Sequence, residues 1–559
     1  MAKVLVIGLD GATLDLVEPW AKQGYLPVLA KMMNEGGYGR LRSVMPVLSS
    51  AAWPSFMTGM NPGKHSMVDF VRREPDSYRL RPVNRQQLRA STLWKILSQH
   101  NQKVGVLNVP MTYPPEEVNG FMVTGLGTPD YKPFTYPPEL GKELLRRGYR
   151  VNKRISYHIG EEKAYINEIN DMAERQLEVS LWLMRSQPWD FFMTVFFDTD
   201  QLAHFFWKHM DGSHPDHNRL ADQQYADTIL KFYQKIDQSI GTLCEAAGSD
   251  TNIFIISDHG TGPFYRDVFL NEWLRQQGYL VIEKDIARLQ GIYRVLAGLG
   301  ITRSHISSIL RRNGLGKIER WIKDTIGNGI DLLPKSQRAE FPQSIDWSRT
   351  RAYSFGYQGQ IYINLQGREP LGIVSPGEEY DQVCQEIMSR LLQIVDPQDD
   401  KPVIDHVYSQ NELFHGPYLN MMPDLTLVMR GLSYNTRQGY EFSPKVGQIF
   451  ATSQTKESGS HRPDGILISK GPDVLITGMH PASAHLIDLA PTILYLLGCP
   501  IPKEMDGQLL NEWITLSHPP QMDESNSIDY PDQREESRSY SSKEDKEIMD
   551  RLKNLGYLE

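Results

Sequence analysis

Cysteine is scarce in this sequence. The 559 residues include three cysteines, Cys244, Cys384 and Cys499, which lie far apart and form no CxxC pair. The sequence therefore has no disulfide framework, and this cysteine usage is typical of a protein from a reducing compartment.

Long apolar runs are absent as well. The first run, Lys3–Leu9, is too short for the core of a signal peptide, and no small-residue cleavage site follows it. No later segment has an uninterrupted apolar stretch of membrane-spanning length. We therefore expect a soluble, cytoplasmic enzyme, and we leave peripheral contact with a membrane open.

Positive charge is not in excess. Lys and Arg total 59 against 68 Asp and Glu, a net charge of -9 at pH 7, so bulk electrostatics do not favour nucleic acid as a partner. The hydrophobic content of 40% and the charged content of 23% are ordinary for a globular protein. A chain of this length can form a large core and more than one lobe.

Short apolar runs that predict buried strands recur along the chain. Lys3–Leu9 is apolar on both faces, which indicates a buried parallel strand. In open α/β sheets, ligands gather at the carboxyl ends of the strands, so Asp10 is well placed for a metal ion. The alternative interpretation is a turn aspartate that caps a helix beginning near Leu14.

The segment Val47–Gly59 places Ser49 at a predicted helix start. There a hydroxyl meets backbone N–H groups and the positive end of the helix dipole, both of which favour a phosphate group. A serine is a poor nucleophile at neutral pH unless a metal ion or a base removes its proton, and a metal ion shared with Asp10 would do so. Taken alone, such a hydroxyl is more often an N-cap. Downstream, His65 is interpreted as structural.

Asp200 and His204 form a second candidate pair. They are four residues apart at a predicted helix start, so they would share one helix face and reach one metal ion. Alone the pair is a weak signal, because such pairs are commonly surface hydrogen bonds.

Two more segments offer metal ligands. Asp258 and His259 end an apolar strand and precede a glycine, so a bend there can turn both side chains toward one point. His461 lies in Gly459–Gly465, which is glycine-rich and predicts a loop. Carboxylates and imidazoles of this kind hold divalent metal ions around a phosphoryl group.

Two segments interrupt the core pattern. Residues 284–345 are basic, with apolar residues at helical spacing. This pattern is compatible with a lid over the site, an amphipathic helix that contacts anionic lipid, or a solvent-exposed helical insertion. Residues 518–543 are polar and typical of a disordered linker, before a short docking helix at 541–555. We therefore divide the chain into core parts 1–283 and 346–517, the insertion 284–345, and the tail 518–559.

As an ordered set, the motifs resemble the alkaline phosphatase superfamily, in particular its type I phosphodiesterase/nucleotide pyrophosphatase branch with the prokaryotic phosphohydrolase/phosphomutase relatives. The resemblance covers roughly residues 1–512 apart from the insertion. It implies an α/β/α sandwich with a central, mostly parallel sheet and a helical insertion as a cap. The matching segments are Gly8–Gly11, Pro46–Gly59, Pro62–His65, Asp200 with His204, Asp258–Gly260, Phe269–Leu274, Gly459–His461 and Ala490–Ile493.

The resemblance also implies a site with two divalent metal ions, usually zinc and sometimes manganese. The ligands carried over are two triads: Asp200, His204 and His461 for one ion, and Asp10, Asp258 and His259 for the other. Ser49 would bridge the ions or bind the second one. It would attack phosphorus and form a phospho-enzyme intermediate, which is then hydrolysed.

The chain departs from that branch in two places. Many nucleotide pyrophosphatases have threonine as the nucleophile, whereas this chain has Ser49, with Ser50 as the alternative. A phosphate-holding asparagine is expected in a region that here reads Ser66–Phe70 and contains none. We therefore expect a small phosphoric ester or nucleotide-type substrate, and the preference between diester and monoester stays open.

Other activities compete with a phosphodiesterase. A sulfatase would need a C/S-x-P-x-R signature, and neither Ser49 nor Ser50 begins one. A phosphomutase is disfavoured because the nucleophile segment does not match its motif, and a phosphomonoesterase stays open. A catalytically silent membrane-surface or scaffold protein would use the basic insertion and the acidic tail, but such a protein is expected to have lost some of the ligands.

Overall fold

The structure is a computed structural model that describes residues 2–283, 345–437, 439–443, 447–452, 457–480, 484–523 and 540–555. The cap predicted at 284–345 lies outside these residues except for Ile345, and so does 524–539 of the predicted linker. Ile282 and Ile345 form an antiparallel bridge. The described residues on either side of the segment 284–344 therefore lie next to each other.

Helices and strands are interspersed along the described chain. The α-helices are α1 Leu14–Lys22, α2 Pro27–Glu35, α3 Ser49–Thr58, α4 Pro62–His65, α5 Leu93–Gln99, α6 Pro138–Arg146, α7 Glu162–Ser186, α8 Asp198–Met210, α9 Arg219–Asp222, α10 Thr228–Ala247, α11 Leu270–Gln276, α12 Glu378–Leu391, α13 Gln410–Leu413, α14 Leu489–Leu496 and α15 Ser542–Asn554. None of these described helices is both long enough and apolar enough to cross a bilayer.

The strands fall into one large sheet and several small ones. They are β1 Lys3–Leu9, β2 Gly37–Arg42, β3 Val71–Arg73, β4 Leu80–Pro82, β5 Val104–Val109, β6 Gly120–Thr124, β7 Thr135–Tyr136, β8 Phe191–Phe196, β9 Thr251–Ile256, β10 Gly260–Pro263, β11 Arg266–Val268, β12 Ala352–Ser354, β13 Gln360–Ile363, β14 Ile404–Ser409, β15 Leu425–Met429, β16 Tyr434–Asn435, β17 Phe450–Thr452, β18 Gly459–Arg462, β19 Asp464–Lys470, β20 Gly478–Met479, β21 Ala484–His485, β22 Ile501–Pro502 and β23 Met522–Asp523.

The central sheet is 10-stranded, in the order β20-β2-β19-β9-β1-β8-β5-β6-β7, with β21 beside β2. From β9 through β1, β8 and β5 to β6, every pair of neighbours is parallel. The antiparallel strands are β19, between β9 and β2, and β7 at the edge. The predicted mostly parallel sheet is therefore confirmed.

Both faces of the sheet are covered. On β1, the side chains of Leu5, Ile7 and Leu9 pack in a core with α1, α2, α7 and α10. Those of Val4 and Val6 point the other way, into a core with α3, α5 and α14. A strand buried on two sides needs apolar residues at every position, which is why this run lacks alternation. The layers are those of the predicted α/β/α sandwich.

A second lobe packs on the α3 side. Its antiparallel sheet has the order β12-β13-β15-β14, and α12 buries Val383, Ile387 and Leu391 in the same core as α3. The connection between β12 and β13, Phe355–Gly359, contacts Val47, two residues before α3.

The segment predicted as a docking helix at 541–555 forms α15. Ser541 and Glu544 form a capping box at its start, and Ile548 and Leu552 are buried against the main core. Just before it, the Tyr540 hydroxyl donates to the Gly127 carbonyl at 2.6 Å. The tail therefore returns to the main domain.

Candidate active site

The predicted ligands of the first part of the chain come from three adjacent strands. Asp10 follows β1, Asp200 lies in the first turn of α8 just after β8, and Asp258 and His259 follow β9. These strands are neighbours and run parallel, so their carboxyl ends meet at one edge of the sheet. All four side chains are fully buried there.

His461 reaches the same place from a different strand. The loop predicted for Gly459–Gly465 is wrong, because residues 459–462 form β18, paired antiparallel with β10, and β19 begins at Asp464. The register sets His461 opposite Thr261, two residues after His259. Gly459, the first residue of β18, allows this strand to pack closely against α8. A Cβ at this position would lie 2.2 Å from a backbone oxygen of α8.

Asp200, His204 and His461, the first triad implied by the resemblance, contact one another. His204 Nε2 lies 3.2 Å from Asp200 Oδ2 and 2.9 Å from His461 Nε2. His461 Nε2 lies 3.7 Å from Asp200 Oδ1. Because α8 begins at Asp198, Asp200 and His204 share one face of the helix.

Asp10, Asp258 and His259 form the second group. His259 Nε2 lies 3.4 Å from Asp258 Oδ2 and 3.7 Å from Asp10 Oδ1. The ligand atoms of this group lie within 4.8 Å of one another, and so do those of Asp200, His259 and His461. His259 therefore lies between the two predicted triads.

The contacts of the two serines differ. Ser49 is the first residue of α3, and its hydroxyl donates to Asp10 Oδ1 at 3.3 Å and lies 3.2 Å from His259 Nε2. The Ser50 hydroxyl is buried and makes no hydrogen bond within the described residues. Of the two, it is Ser49 whose hydroxyl contacts the predicted ligands.

Hydrogen bonds to backbone carbonyls orient two of the imidazole rings. His461 Nδ1 lies 2.7 Å from the Val47 carbonyl oxygen, and His259 Nδ1 lies 3.0 Å from that of Gly260. A carbonyl oxygen only accepts, so Nδ1 carries a proton in each ring. In the neutral ring, the lone pair is then on Nε2, which faces the cluster.

Trp53 is a site residue that the sequence reasoning missed. Its Nε1 donates to Asp10 Oδ2 at 2.8 Å, so it orients the carboxylate whose other oxygen contacts Ser49. A signal for it existed, because Trp53 is four residues after Ser49 and therefore on the same face of α3.

Comparison with known proteins identifies the family. A sequence model of the type I phosphodiesterase/nucleotide pyrophosphatase family matches residues 4–461. The chain belongs to this family. It is therefore a hydrolase of phosphoric ester bonds, and the superfamily and enzyme class that the motifs predicted are confirmed.

Among solved structures, this family member is similar to murine ectonucleotide pyrophosphatase/phosphodiesterase 5, an inactive variant in complex with AMP. The identity is 12%, the match covers 89% of this chain and 96% of the murine chain, and the TM-score is 0.47. The human ectonucleotide pyrophosphatase/phosphodiesterase 5 is 13% identical over 94% of this chain and 99% of its own, with a TM-score of 0.45. No curated protein sequence matches this chain.

The donor set of this phosphodiesterase-family chain fits divalent cations. Burial and the negative charge of Asp258 raise the pKa of Asp10 well above its usual range, and burial raises the pKa of Asp258 as well. Burial also acts to raise the pKa of Asp200, but the imidazoles of His204, His461 and His259 together outweigh it and hold that pKa below its usual range. Buried Asp258 Oδ2 accepts no hydrogen bond within the described part of the chain. Oxygen and imidazole donors of this kind suit zinc or manganese.

Proposed function

We propose that this chain is a two-metal phosphodiesterase in which Ser49 is the nucleophile. The observation that carries the proposal is the position of the Ser49 hydroxyl. It lies at the start of α3 and within hydrogen-bonding distance of both Asp10 and His259. The positive end of the helix dipole then favours the negative charge of an incoming phosphoryl group.

The two triads would each hold one divalent ion. The proposed ligands are Asp200, His204 and His461 for one ion, and Asp10, Asp258 and His259 with Ser49 for the other. When bound, the ions supply Lewis acidity, which lowers the pKa of the serine hydroxyl and stabilises the charge on the phosphoryl oxygens. We propose zinc, with manganese as the alternative, because both accept oxygen and imidazole ligands.

The chemistry of the chain itself is two displacements at phosphorus. Ser49 Oγ loses its proton and forms a bond to phosphorus while the bond from phosphorus to the leaving oxygen breaks. The leaving oxygen takes up a proton and departs as the alcohol. Trp53 keeps the Asp10 carboxylate in place during this step. A water molecule then cleaves the bond between Ser49 Oγ and phosphorus, and Ser49 regains a proton. With a diester substrate, one water is consumed and one alcohol and one monoester are released.

The proposed substrate is a small phosphodiester of the nucleotide type. Support comes from the family, which groups phosphodiesterases with nucleotide pyrophosphatases. The net charge of -9 argues against a nucleic acid polymer as the substrate, since it gives no general attraction for a polyanion.

The test is hydrolysis of an aryl phosphodiester and of the matching monoester by the full chain with added zinc or manganese. Wild type, Ser49→Ala and the matched control Ser50→Ala are compared. We expect diester turnover by wild type and by Ser50→Ala, and none by folded Ser49→Ala. Activity in Ser49→Ala would overturn the nucleophile assignment, and preference for the monoester would indicate a phosphomonoesterase. No turnover of either ester by zinc-loaded wild type would favour the catalytically silent alternative.

A further inference from the structure

The loop Phe355–Gly359 of the second lobe contacts the nucleophile segment through one side chain. Gln358 Oε1 accepts a hydrogen bond from the Val47 N–H at 2.6 Å, and Gln358 Nε2 donates to the Val47 carbonyl at 2.9 Å. Both residues are fully buried. One carboxamide therefore satisfies both the backbone N–H and the backbone carbonyl of Val47, which are buried away from water.

The Val47 carbonyl has a second partner in the site. It also accepts a hydrogen bond from His461 Nδ1 at 2.7 Å. Ser49 follows two residues later, at the first position of α3. Val47 thus links the loop of the second lobe to a proposed metal ligand and to the proposed nucleophile.

The backbone of Gln358 indicates that its side chain has a specific role. Its φ is 65°, in the left-handed region where side chains with a Cβ are disfavoured and glycine is not. Residues held in this region concentrate at functional sites, where the surrounding contacts outweigh the backbone cost. Here those contacts are the two hydrogen bonds to Val47.

The loop has other anchors that do not involve the Gln358 side chain. The Tyr357 N–H donates to Asp69 Oδ2 at 3.2 Å, and the Gly359 N–H donates to Thr436 Oγ1 at 2.8 Å. Loss of the Gln358 carboxamide therefore leaves the loop attached on both sides, so a variant at this position is expected to fold.

We propose that Gln358 is a positioning residue for the reaction. Through the backbone of Val47, its carboxamide sets the spacing between the Ser49 hydroxyl and the His461 imidazole. This inference rests on the proposed function, because it uses the roles assigned to Ser49 and His461. Without the carboxamide, the Val47 N–H loses its acceptor and the segment before Ser49 shifts. A misplacement of about 1 Å lowers the rate on the order of 100-fold.

The test compares Gln358→Met and Gln358→Gly with the matched control Gln360→Met. Gln360 is buried on the same hairpin, and its carboxamide bonds Asp69 and the Tyr357 carbonyl rather than Val47. The measurements are kcat and KM for an aryl phosphodiester, zinc affinity by titration of the metal-free protein, and Tm.

Both Gln358 variants should lower kcat by about 10- to 100-fold with a smaller change in KM. Zinc affinity should fall about tenfold or more at one of the two sites, because the His461 ring loses its orientation. Gln358→Gly should melt no lower than Gln358→Met, since glycine adopts the left-handed backbone without strain. Gln360→Met should lower Tm and keep kcat and zinc affinity close to wild type.

Wild-type kcat and zinc affinity in both Gln358 variants would overturn the inference and leave the proposed function intact, provided that Ser49→Ala is inactive. Parallel losses of Tm and kcat in Gln358→Met and Gln360→Met would assign Gln358 a structural role only, which also overturns it. If wild type hydrolyses no diester, the proposed function fails, and zinc affinity alone then decides whether Gln358 positions His461.

Discussion

The imidazole rings of His259 and His461 stack, with centroids 3.8 Å apart and an interplanar angle of 23°. One residue follows the central strand β9 and the other belongs to β18, about 200 residues later in the chain. Each ring belongs to a different proposed triad, so the stack joins the two triads into one cluster. A change at either triad is therefore expected to affect both of the proposed metal ions.

Trp53→Phe should weaken zinc binding. The variant removes the hydrogen bond from Trp53 Nε1 to Asp10 Oδ2, which is 2.8 Å long and orients a proposed ligand. Loss of such a bond typically lowers metal affinity by about 10- to 100-fold, measured here by zinc titration of the metal-free protein. The control is Trp94→Phe, which loses a bond of 2.8 Å to Glu116 away from the cluster. Equal zinc affinity in Trp53→Phe and wild type would contradict the prediction.

Gly11→Ala should disrupt the site through Asp200. A Cβ at Gly11 would lie 2.7 Å from Asp200 Oδ1, and φ there is +68°. The matched control is Gly24→Ala, with φ +82° and no atom within 4 Å of the new Cβ. Both variants should lose about 1–2 kcal/mol of stability from the left-handed backbone. Zinc affinity and kcat/KM should fall in Gly11→Ala only, and a similar fall in Gly24→Ala would refute the proposed contact.

Removing the metal ions should lower Tm. Three carboxylates, Asp10, Asp200 and Asp258, are fully buried together, and divalent cations would compensate their charge. Free zinc at 100 times its Kd adds about 2.7 kcal/mol to the free energy of unfolding. Thermal melts with zinc and with chelator measure the difference, and Asp258→Asn, which removes one ligand charge, should reduce it. A Tm that chelation leaves unchanged would argue against a structural contribution of the ions.

His65 should make stability depend on pH. Its Nδ1 accepts a hydrogen bond from the Met67 N–H at 3.2 Å, and its Nε2 lies 2.8 Å from Ser55 Oγ, which confirms the structural interpretation from the sequence. Burial lowers the pKa of His65 from 6.5 to about 3. Between these values the unfolded chain binds a proton that the folded chain does not. The contribution of His65 to the free energy of unfolding therefore falls as pH falls, by up to about 1.4 kcal/mol per pH unit.

Asp69 changes stability with pH in the opposite direction. Because Asp69 is present in both proteins, the difference in stability between His65→Gln and wild type isolates the effect of His65. Burial raises the pKa of Asp69 from 3.8 to about 7, and the folded chain binds the extra proton between those values. Urea unfolding at several pH values from 7 to 4 is the measurement. The stability deficit of His65→Gln should shrink toward low pH, where wild type also loses the benefit of a neutral His65. A deficit that stays constant with pH would show that His65 does not titrate as described.

Much of the fold and of the site follows from local sequence. Lys3–Leu9 is apolar at every position because β1 is covered on both faces, and Asp10 stands at its carboxyl end. Asp200 and His204 meet because four residues make about one helical turn. Local patterns of this kind determined the main sheet and the pairing of Asp200 with His204. The grouping into two triads came from the resemblance of the ordered motifs to a known family, and the cap predicted at 284–345 lies outside the described residues.

Tertiary structure alone decided the rest. The glycine-rich stretch around His461 has no strand pattern, and only its pairing with β10 sets that ring against His259. The choice of Ser49 over Ser50 depends on which hydroxyl faces Asp10 in the packed helix. Gln358 and Val47 meet across 311 residues because two lobes pack together. The periodicity of apolar residues shows which face of a helix or strand is buried. It does not show which distant segment packs against that face.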